Sequence, residues 1–346
     1  MKKKVGIIGA GAWGTALAQA IATKGIEVEI WAFEKDVEES INNRHINDRY
    51  LKGYKLDPRI TATTNLIQAA TEKEFLILAM PSLYLLKTVK SIVTVPNIME
   101  GQSIIGIVTK GFMPSDDQPR LIVETVENYL PGFYKGNVVY ISGPSHAEEV
   151  VQGIITGLIS ACLNPKNSIR FRELLSSKSL RVFSSLDVVG VQASAALKNV
   201  VAIAFGILDA IKEGSQIFGD NTESLLLAAG LNEIQLMGTA LGSTHPETFT
   251  SIAGVGDLDV TCRSQYGRNR RFGREIVLKN ILKPFHNIDD LISRISELEY
   301  LPEGVVAAKY AWQLKEKYRL RLDIVSAVYK ILNKEASPLE AIRHLV

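Results

Sequence analysis

One ammonium group interrupts a long apolar run in this chain. Lys198 is the only charged residue between Val188 and Leu208, in VVGVQASAALKNVVAIAFGIL, with the amide of Asn199 beside it. The run is rich in Ala and Leu and free of Pro, so it predicts a buried helix rather than strands. A lysine there either pairs with a carboxylate or snorkels to water, or burial lowers its pKa until it can trade a proton near neutrality. A second constellation is AGVGDLDVTC at 253–262. Two glycines free the backbone before Asp257, and Thr261, four residues on, shares its face if the segment is helical. The plainer alternative is that Asp257 caps a helix. A third is GRNRRFGR at 267–274, which sets Arg268, Asn269, Arg270, Arg271 and Arg274 at a glycine-marked turn. Guanidinium forks suit phosphate. A solvated basic face fits the same residues, whereas a nucleic-acid patch is disfavoured, because the cluster is short and lacks aromatic interleaving.

The elements that must position these groups begin with a strand at 4–8. It runs into Gly9-Ala10-Gly11-Ala12-Trp13-Gly14, followed by an Ala-rich helix at 15–23 and a second strand at 26–33. This is G-x-G-x-x-G in the setting that dinucleotide binding requires. Gly9 serves the turn, Gly11 the approach of a pyrophosphate, and Gly14 the packing of helix on strand. An acid beyond the second strand suits the ribose hydroxyls of NAD and a base suits a 2′-phosphate; here Glu34 and Lys35 follow one another, so the signal is split.

Further strands are expected at 60–64, 75–80, 103–109, 138–142, 154–162 and 180–183. The early ones are continuous apolar runs, as in parallel strands covered on both faces. Ligands of such sheets sit beyond the carboxyl ends of the strands, which draws attention to Met80-Pro81-Ser82, Thr109-Lys110-Gly111 and Gly143-Pro144-Ser145-His146. From about residue 190 the β pattern gives way to helices at 191–211, 221–241, 246–252, 269–278, 289–296, 304–318 and 322–333. The fold class is therefore α/β. A Rossmann-type, doubly wound, mostly parallel sheet over residues 1–189 precedes an all-α domain over 190–346, and 279–302 is the one long segment without a clear pattern.

A length of 346 residues suits two such domains. The net charge of +2 implies neither nucleic acid nor a membrane surface as partner. The apolar run is barely long enough to span a bilayer and carries Lys198 near its centre, so no membrane insertion is expected. Cys162 and Cys262 are far apart, which fits a reducing compartment. Without a signal-peptide pattern the expected location is cytoplasmic, and no metal site is expected.

Taken together, GAGAWGTALA at 9–18, TKG at 109–111, SGPSHA at 142–147, ALKNVVAIA at 196–204, AGVGDLDVTC and GRNRRFG resemble the NAD(P)-dependent glycerol-3-phosphate dehydrogenases of the bacterial type. The match runs in order along nearly the whole chain. The resemblance implies a homodimer that uses NAD(P)H to interconvert dihydroxyacetone phosphate and glycerol 3-phosphate for phospholipid synthesis. It implies that Lys198 is the proton donor and acceptor, organised by Asp257, Asn199 and Thr261. Substrate contacts map onto Lys110, Gly143, Ser145, Lys198, Asp257, Gly267, Arg268 and Asn269. Cofactor contacts map onto Gly9, Gly11, Ala12, Trp13, Gly14, Phe33, Tyr50, Lys110, Ala147, Arg268, Leu301 and Glu303. Departures are visible too. Gly267 replaces a usual serine, Phe33 an Arg or His that often serves a 2′-phosphate, and Leu301-Pro302-Glu303-Gly304 a more usual Val-Val-Glu-Gly.

The residue chemistry fits a ketone reduction in which the oxygen gains charge and a nearby ammonium supplies the proton. Burial would lower the lysine's pKa while Asp257 tempers the shift, and sequence does not decide between them. Two rivals share parts of this pattern. One is a two-domain dehydrogenase of the 6-phosphogluconate or 3-hydroxyisobutyrate type, and the other a non-enzymatic NAD(H)-binding redox sensor, which would have no need of Lys198.

Overall fold

The computed structural model describes residues 4–114 and 118–345. The chain divides into two compact units. The first comprises Met1–Thr109 and Ile122–Val188, and the second takes in Lys110–Leu121 along with Val189–Val346.

The first unit is built on an eight-stranded sheet. Its spatial order is Leu180–Ser185, Thr156–Ala161, Val139–Ser142, Ile104–Ile107, Phe75–Leu78, Lys4–Ile8, Glu27–Trp31 and Ile60–Thr63. All neighbours are parallel except Val139–Ser142 against Thr156–Ala161. The central strands carry no polar side chain to alternate with apolar ones: Phe75–Leu78 and Ile104–Ile107 are buried throughout, because helices cover both faces. Strand order reverses at Lys4–Ile8, which pairs with Glu27–Trp31 on one side and Phe75–Leu78 on the other. That reversal opens a crevice at the carboxyl ends of the strands, where the glycine loop lies.

The helix after the first strand spans Ala12–Ala22. It starts three residues earlier than the pattern predicts because Gly11, in extended conformation, is its N-cap, so the last glycine of the motif lies inside the first turn. Gly9 has φ of 125°, and a Cβ there would stand 2.7 Å from the carbonyl oxygen of Ala79, so only glycine fits. A two-stranded hairpin, Ile46–Asn47 with Leu51–Lys55, escapes the sequence reading. It is short, polar and exposed along most of its length, and so shows no apolar alternation.

The second unit packs its helices around Val188–Lys212. Leu197, Val200, Ile203, Ile207 and Leu208 are fully buried in its core, each worth about 1.5–3 kcal/mol of transfer free energy. This helix is long and apolar enough to cross a membrane, yet 94% of its apolar window is buried, so it is a core helix. The helix Asp220–Ala240 contributes Glu233, 6% exposed, whose carboxylate accepts the amides of Ile324 at 2.6 Å and Val325 at 3.1 Å and so satisfies the N-terminus of Asp323–Leu332. Glu233→Ala should cost about 1–3 kcal/mol of stability by stranding two buried donors, visible as a lower Tm.

The helix expected at 246–252 is shorter, and the chain from 247 to 263 falls into three pieces. A short helix Glu247–Thr250 is followed by a π-type turn over Ile252–Gly256 and the helix Asp257–Arg263. Within that turn Gly254 lies against the backbone of Phe249, leaving no room for a side chain. The segment 279–302 holds a helix Ile288–Ser293 and a single turn Ile295–Glu297.

Candidate active site

The π-type turn aims Asp257 inward. Asp257 opens its helix with Gly256 as the cap, so its side chain is not used as an N-cap, and it is wholly buried. The ammonium of Lys198, itself 5% exposed, donates to Asp257 Oδ1 and, at 3.0 Å, to Thr261 Oγ1. Thr261 spends its own proton on the Asp257 carbonyl at 2.6 Å, so its oxygen is left as an acceptor for the lysine. From the other side Lys110 Nζ reaches Asp257 Oδ2 at 3.2 Å. The cluster thus sets two lysine side chains against one buried carboxylate, an excess of one positive charge when both are protonated. An ammonium has three donors. Two of those on Lys198 are committed, and the third has no partner among the described residues.

Burial sets the electrostatics. Desolvation lowers the pKa of Lys198 well below the usual lysine range; Asp257 pulls it back up and Lys110 adds to the depression. Burial alone would raise Asp257, but the two lysines outweigh it and hold the carboxyl below the ordinary carboxylate range. Beside Lys198, Asn199 is 4% exposed, and its Nδ2 has no hydrogen-bond partner among the described residues. An orphaned buried donor next to an uncommitted ammonium suits an oxygen-rich ligand.

The basic turn sorts itself into two kinds of arginine. Arg270 donates to Asp209 at 2.5 Å and to the carbonyl of Arg263 at 2.8 Å; Arg274 pairs with Glu213; Arg271 spans Glu275 and Glu299. These three are held by acidic partners around the helix Arg268–Leu278, which leaves Arg268 as the guanidinium of the cluster without one. Arg268 is exposed at the first position of that helix and has no hydrogen bond or ion pair among the described residues. Helix N-termini favour anions. Asn269 accepts the amide of Gly304 at 2.9 Å, which ties this turn to the start of the helix Glu303–Tyr318 and to the neighbouring Leu301 and Glu303. Gly267 is buried as N-cap, and a Cβ there would stand 2.9 Å from the carbonyl oxygen of Thr261. A serine at this position would need the backbone at Thr261 to shift.

In the first unit the N-terminus of Ala12–Ala22 has no acid in its first turn. A Cβ added at Gly11 would meet nothing within 4 Å. This open cradle of backbone N–H groups at the sheet's switch point fits the pyrophosphate of a dinucleotide. Ala12, Trp13 and Gly14 lie in that first turn. At the end of Glu27–Trp31, Phe33 stands 77% exposed, and Glu34 accepts the hydroxyl of Tyr50 at 2.6 Å. Asn47, which the sequence reading passed over, is buried and donates from Nδ2 to the carbonyl of Ala10 and to Thr15 Oγ1, each at 2.8 Å. It pins the turn bearing Tyr50 to the glycine loop. Gly143 has φ of 134°, Ser145 donates to its carbonyl at 2.9 Å, and Ala147 opens a short helix. Among the described residues no group of three or more His, Cys, Asp or Glu side chains could hold a metal ion. Burial pushes both thiols up, Cys162 to about 11 and Cys262 further, so neither is a reactive nucleophile.

A doubly wound sheet with a glycine-rich pyrophosphate cradle, joined in one chain to a helical unit holding a buried lysine of lowered pKa, defines a dinucleotide-dependent dehydrogenase. Comparison with known proteins narrows the class. Residues 4–168 match the family model for the N-terminus of NAD-dependent glycerol-3-phosphate dehydrogenase, and residues 187–343 the model for its C-terminus. The chain belongs to this family and is an NAD(P)-dependent oxidoreductase. It is 54% identical to a glycerol-3-phosphate dehydrogenase (NAD(P)+) of Treponema denticola, with 100% of this chain and 99% of that one covered. It is 36% identical to the enzyme of the same name from Bacillus velezensis, over 95% and 90% of the two chains. Among solved structures, glycerol-3-phosphate dehydrogenase from Coxiella burnetii aligns with a TM-score of 0.83 at 29% identity, covering 99% and 98% of the two chains.

Proposed function

We propose that this chain interconverts dihydroxyacetone phosphate and glycerol 3-phosphate, with Lys198 as proton donor in reduction and acceptor in oxidation. The observation that carries this reading is the uncommitted third N–H of Lys198 in a cluster of two lysines and one buried carboxylate. When bound, the reduced nicotinamide supplies the hydride. As negative charge develops on the ketone oxygen, Lys198 stabilises it and passes on its proton, which burial has made easier to release. Asp257 and Thr261 hold the ammonium in place, and Lys110 holds Asp257. Asn199 Nδ2 offers a further donor to substrate oxygen. Arg268 takes the phosphate, together with the N-terminus of its helix and Asn269.

Gly143 and Ser145 contribute to substrate binding in this reading. Gly9, Gly11, Ala12, Trp13, Gly14, Phe33, Tyr50, Ala147, Leu301 and Glu303 serve the cofactor. A 3-hydroxyisobutyrate type of dehydrogenase, whose substrate carries no phosphate, has no use for a free arginine at a helix N-terminus, a 6-phosphogluconate type is disfavoured by the match of both halves of the chain to the glycerol-3-phosphate dehydrogenase models, and a redox sensor has no use for a buried lysine. The product would feed glycerophospholipid synthesis in the cytoplasm, and the protein would act as a homodimer, which sedimentation analysis would test.

Oxidation of NADH or NADPH followed at 340 nm with dihydroxyacetone phosphate tests the activity. Turnover with that ketone is expected, and its absence with both cofactors would end the proposal. Neither cofactor should be strongly excluded, because the loop offers both an acid and nearby basic residues. A ratio of kcat/KM values above about a thousandfold, roughly 4 kcal/mol, would contradict this account of the loop.

A further inference from the structure

Lys35, the base that directly follows Glu34, is an unconvincing clamp for a 2′-phosphate. Its side chain is 82% exposed and lies along its own helix, 3.8 Å from Glu39. Another base is better placed. Arg49 sits in the turn between Ile46–Asn47 and Leu51–Lys55, which Asn47 fastens to the glycine loop through Ala10 and Thr15 while its Oδ1 accepts the amide of Tyr50 at 3.3 Å. Its Nη2 lies 3.7 Å from Glu34 Oε1, the same oxygen that accepts the Tyr50 hydroxyl, and its Nη1 lies 3.3 Å from Asp36 Oδ2. The guanidinium carbon stands 5.6 Å from the centre of the Tyr50 ring. The hairpin thus brings an acid and a base together at the end of the second strand.

In dinucleotide-binding sheets these two residue types have opposite uses at this point. The acid takes the ribose 2′-hydroxyl of NAD, and an arginine nearby accommodates the 2′-phosphate of NADP. Here both are present, and each partly neutralises the other. We propose that Arg49 is the specificity-determining residue that admits the phosphorylated cofactor. With NADPH its guanidinium leaves Glu34 and Asp36 and forks onto the 2′-phosphate; with NADH it stays on Glu34 and Asp36, and the remaining Glu34 oxygen serves the ribose. The exchange is easy because exposed ion pairs are weak and a phosphate is the better match for a guanidinium fork. Asn47 makes it specific by fixing the turn relative to the pyrophosphate cradle, so that Arg49 moves at its side chain and not at its backbone.

The proposal rests on the adenosine ribose lying at Glu34. The test measures kcat and KM for NADPH and NADH in the native chain, Arg49→Gln and Glu34→Gln. Arg49→Gln should lower the NADPH to NADH ratio of kcat/KM by about tenfold or more, with the loss in KM for NADPH. Inhibition by adenosine 2′,5′-bisphosphate should weaken relative to inhibition by 5′-AMP. Glu34→Gln should shift the ratio the other way, by removing the charge that repels the phosphate. If Arg49→Gln leaves the ratio unchanged while Glu34→Gln shifts it, the ribose placement stands and Arg49 is a bystander. If neither substitution moves the ratio, the placement of the ribose fails along with the proposal.

Discussion

Lys198→Met is expected to lower kcat for dihydroxyacetone phosphate by about 10⁴-fold or more while leaving the protein folded. General acid catalysis by itself is worth about 10²–10⁴-fold, and loss of charge stabilisation at the developing alkoxide adds to it. Methionine keeps an unbranched stem of similar reach and suits a helix whose other buried positions here are mostly apolar. The usual danger in removing one member of a buried ion pair is an uncompensated charge left behind, which costs about 3–5 kcal/mol. That danger is reduced here because Asp257 keeps Lys110 at 3.2 Å. Turnover should therefore collapse with only a modest fall in Tm. A lysine that served packing alone would give the reverse pattern, with lost stability and kcat within a few fold.

Arg268→Ala should weaken kcat/KM for the phosphorylated ketone by several kcal/mol, on the order of a hundredfold or more, without a change in Tm. Both halves of that expectation come from the same observation. Arg268 is exposed and makes no contact with another charged group of the described chain, so nothing in the fold depends on it. Its guanidinium is free for a phosphate at the helix N-terminus. Arg270→Ala is the natural comparison. It removes the bond to Asp209, 7% exposed, and leaves that carboxylate only the more distant Arg274, 3.9 Å away, so it should cost stability first. An unchanged kcat/KM in Arg268→Ala would remove the residue from the site.

The contrast between these two arginines marks how far the sequence could be read. Spacing identified the GRNRR turn as a place for phosphate, but which guanidinium is free depends on Asp209 and Glu213, 61 residues away in sequence, at the end of another helix and in the turn after it. The glycine loop was legible because its strand, turn and helix are contiguous and each glycine has a local reason. Asp257 and Thr261 were legible as a pair four residues apart on one helical face, and their meeting with Lys198 follows the expectation that a buried ammonium needs a carboxylate. Lys110 as the second partner of Asp257 was not, because residues 110–121 leave the run of the sheet to join the second unit. The hairpin carrying Arg49 and Tyr50 was hidden for a different reason: its strands are short and largely exposed, so no apolar period announces them, and the role of Asn47 is visible only once the carbonyl of Ala10 is in place.

The central claim is that Lys198 exchanges the proton, and the pH dependence of kcat/KM in both directions tests it most directly without altering the chain. Reduction of the ketone needs the ammonium, and oxidation of glycerol 3-phosphate needs the neutral amine. Because burial depresses the pKa of Lys198 below the 10.5 of a free lysine, reduction should fall and oxidation should rise with increasing pH through one shared inflection well under that value. Two profiles that move in the same direction, or an inflection at the ordinary lysine pKa, would contradict the account.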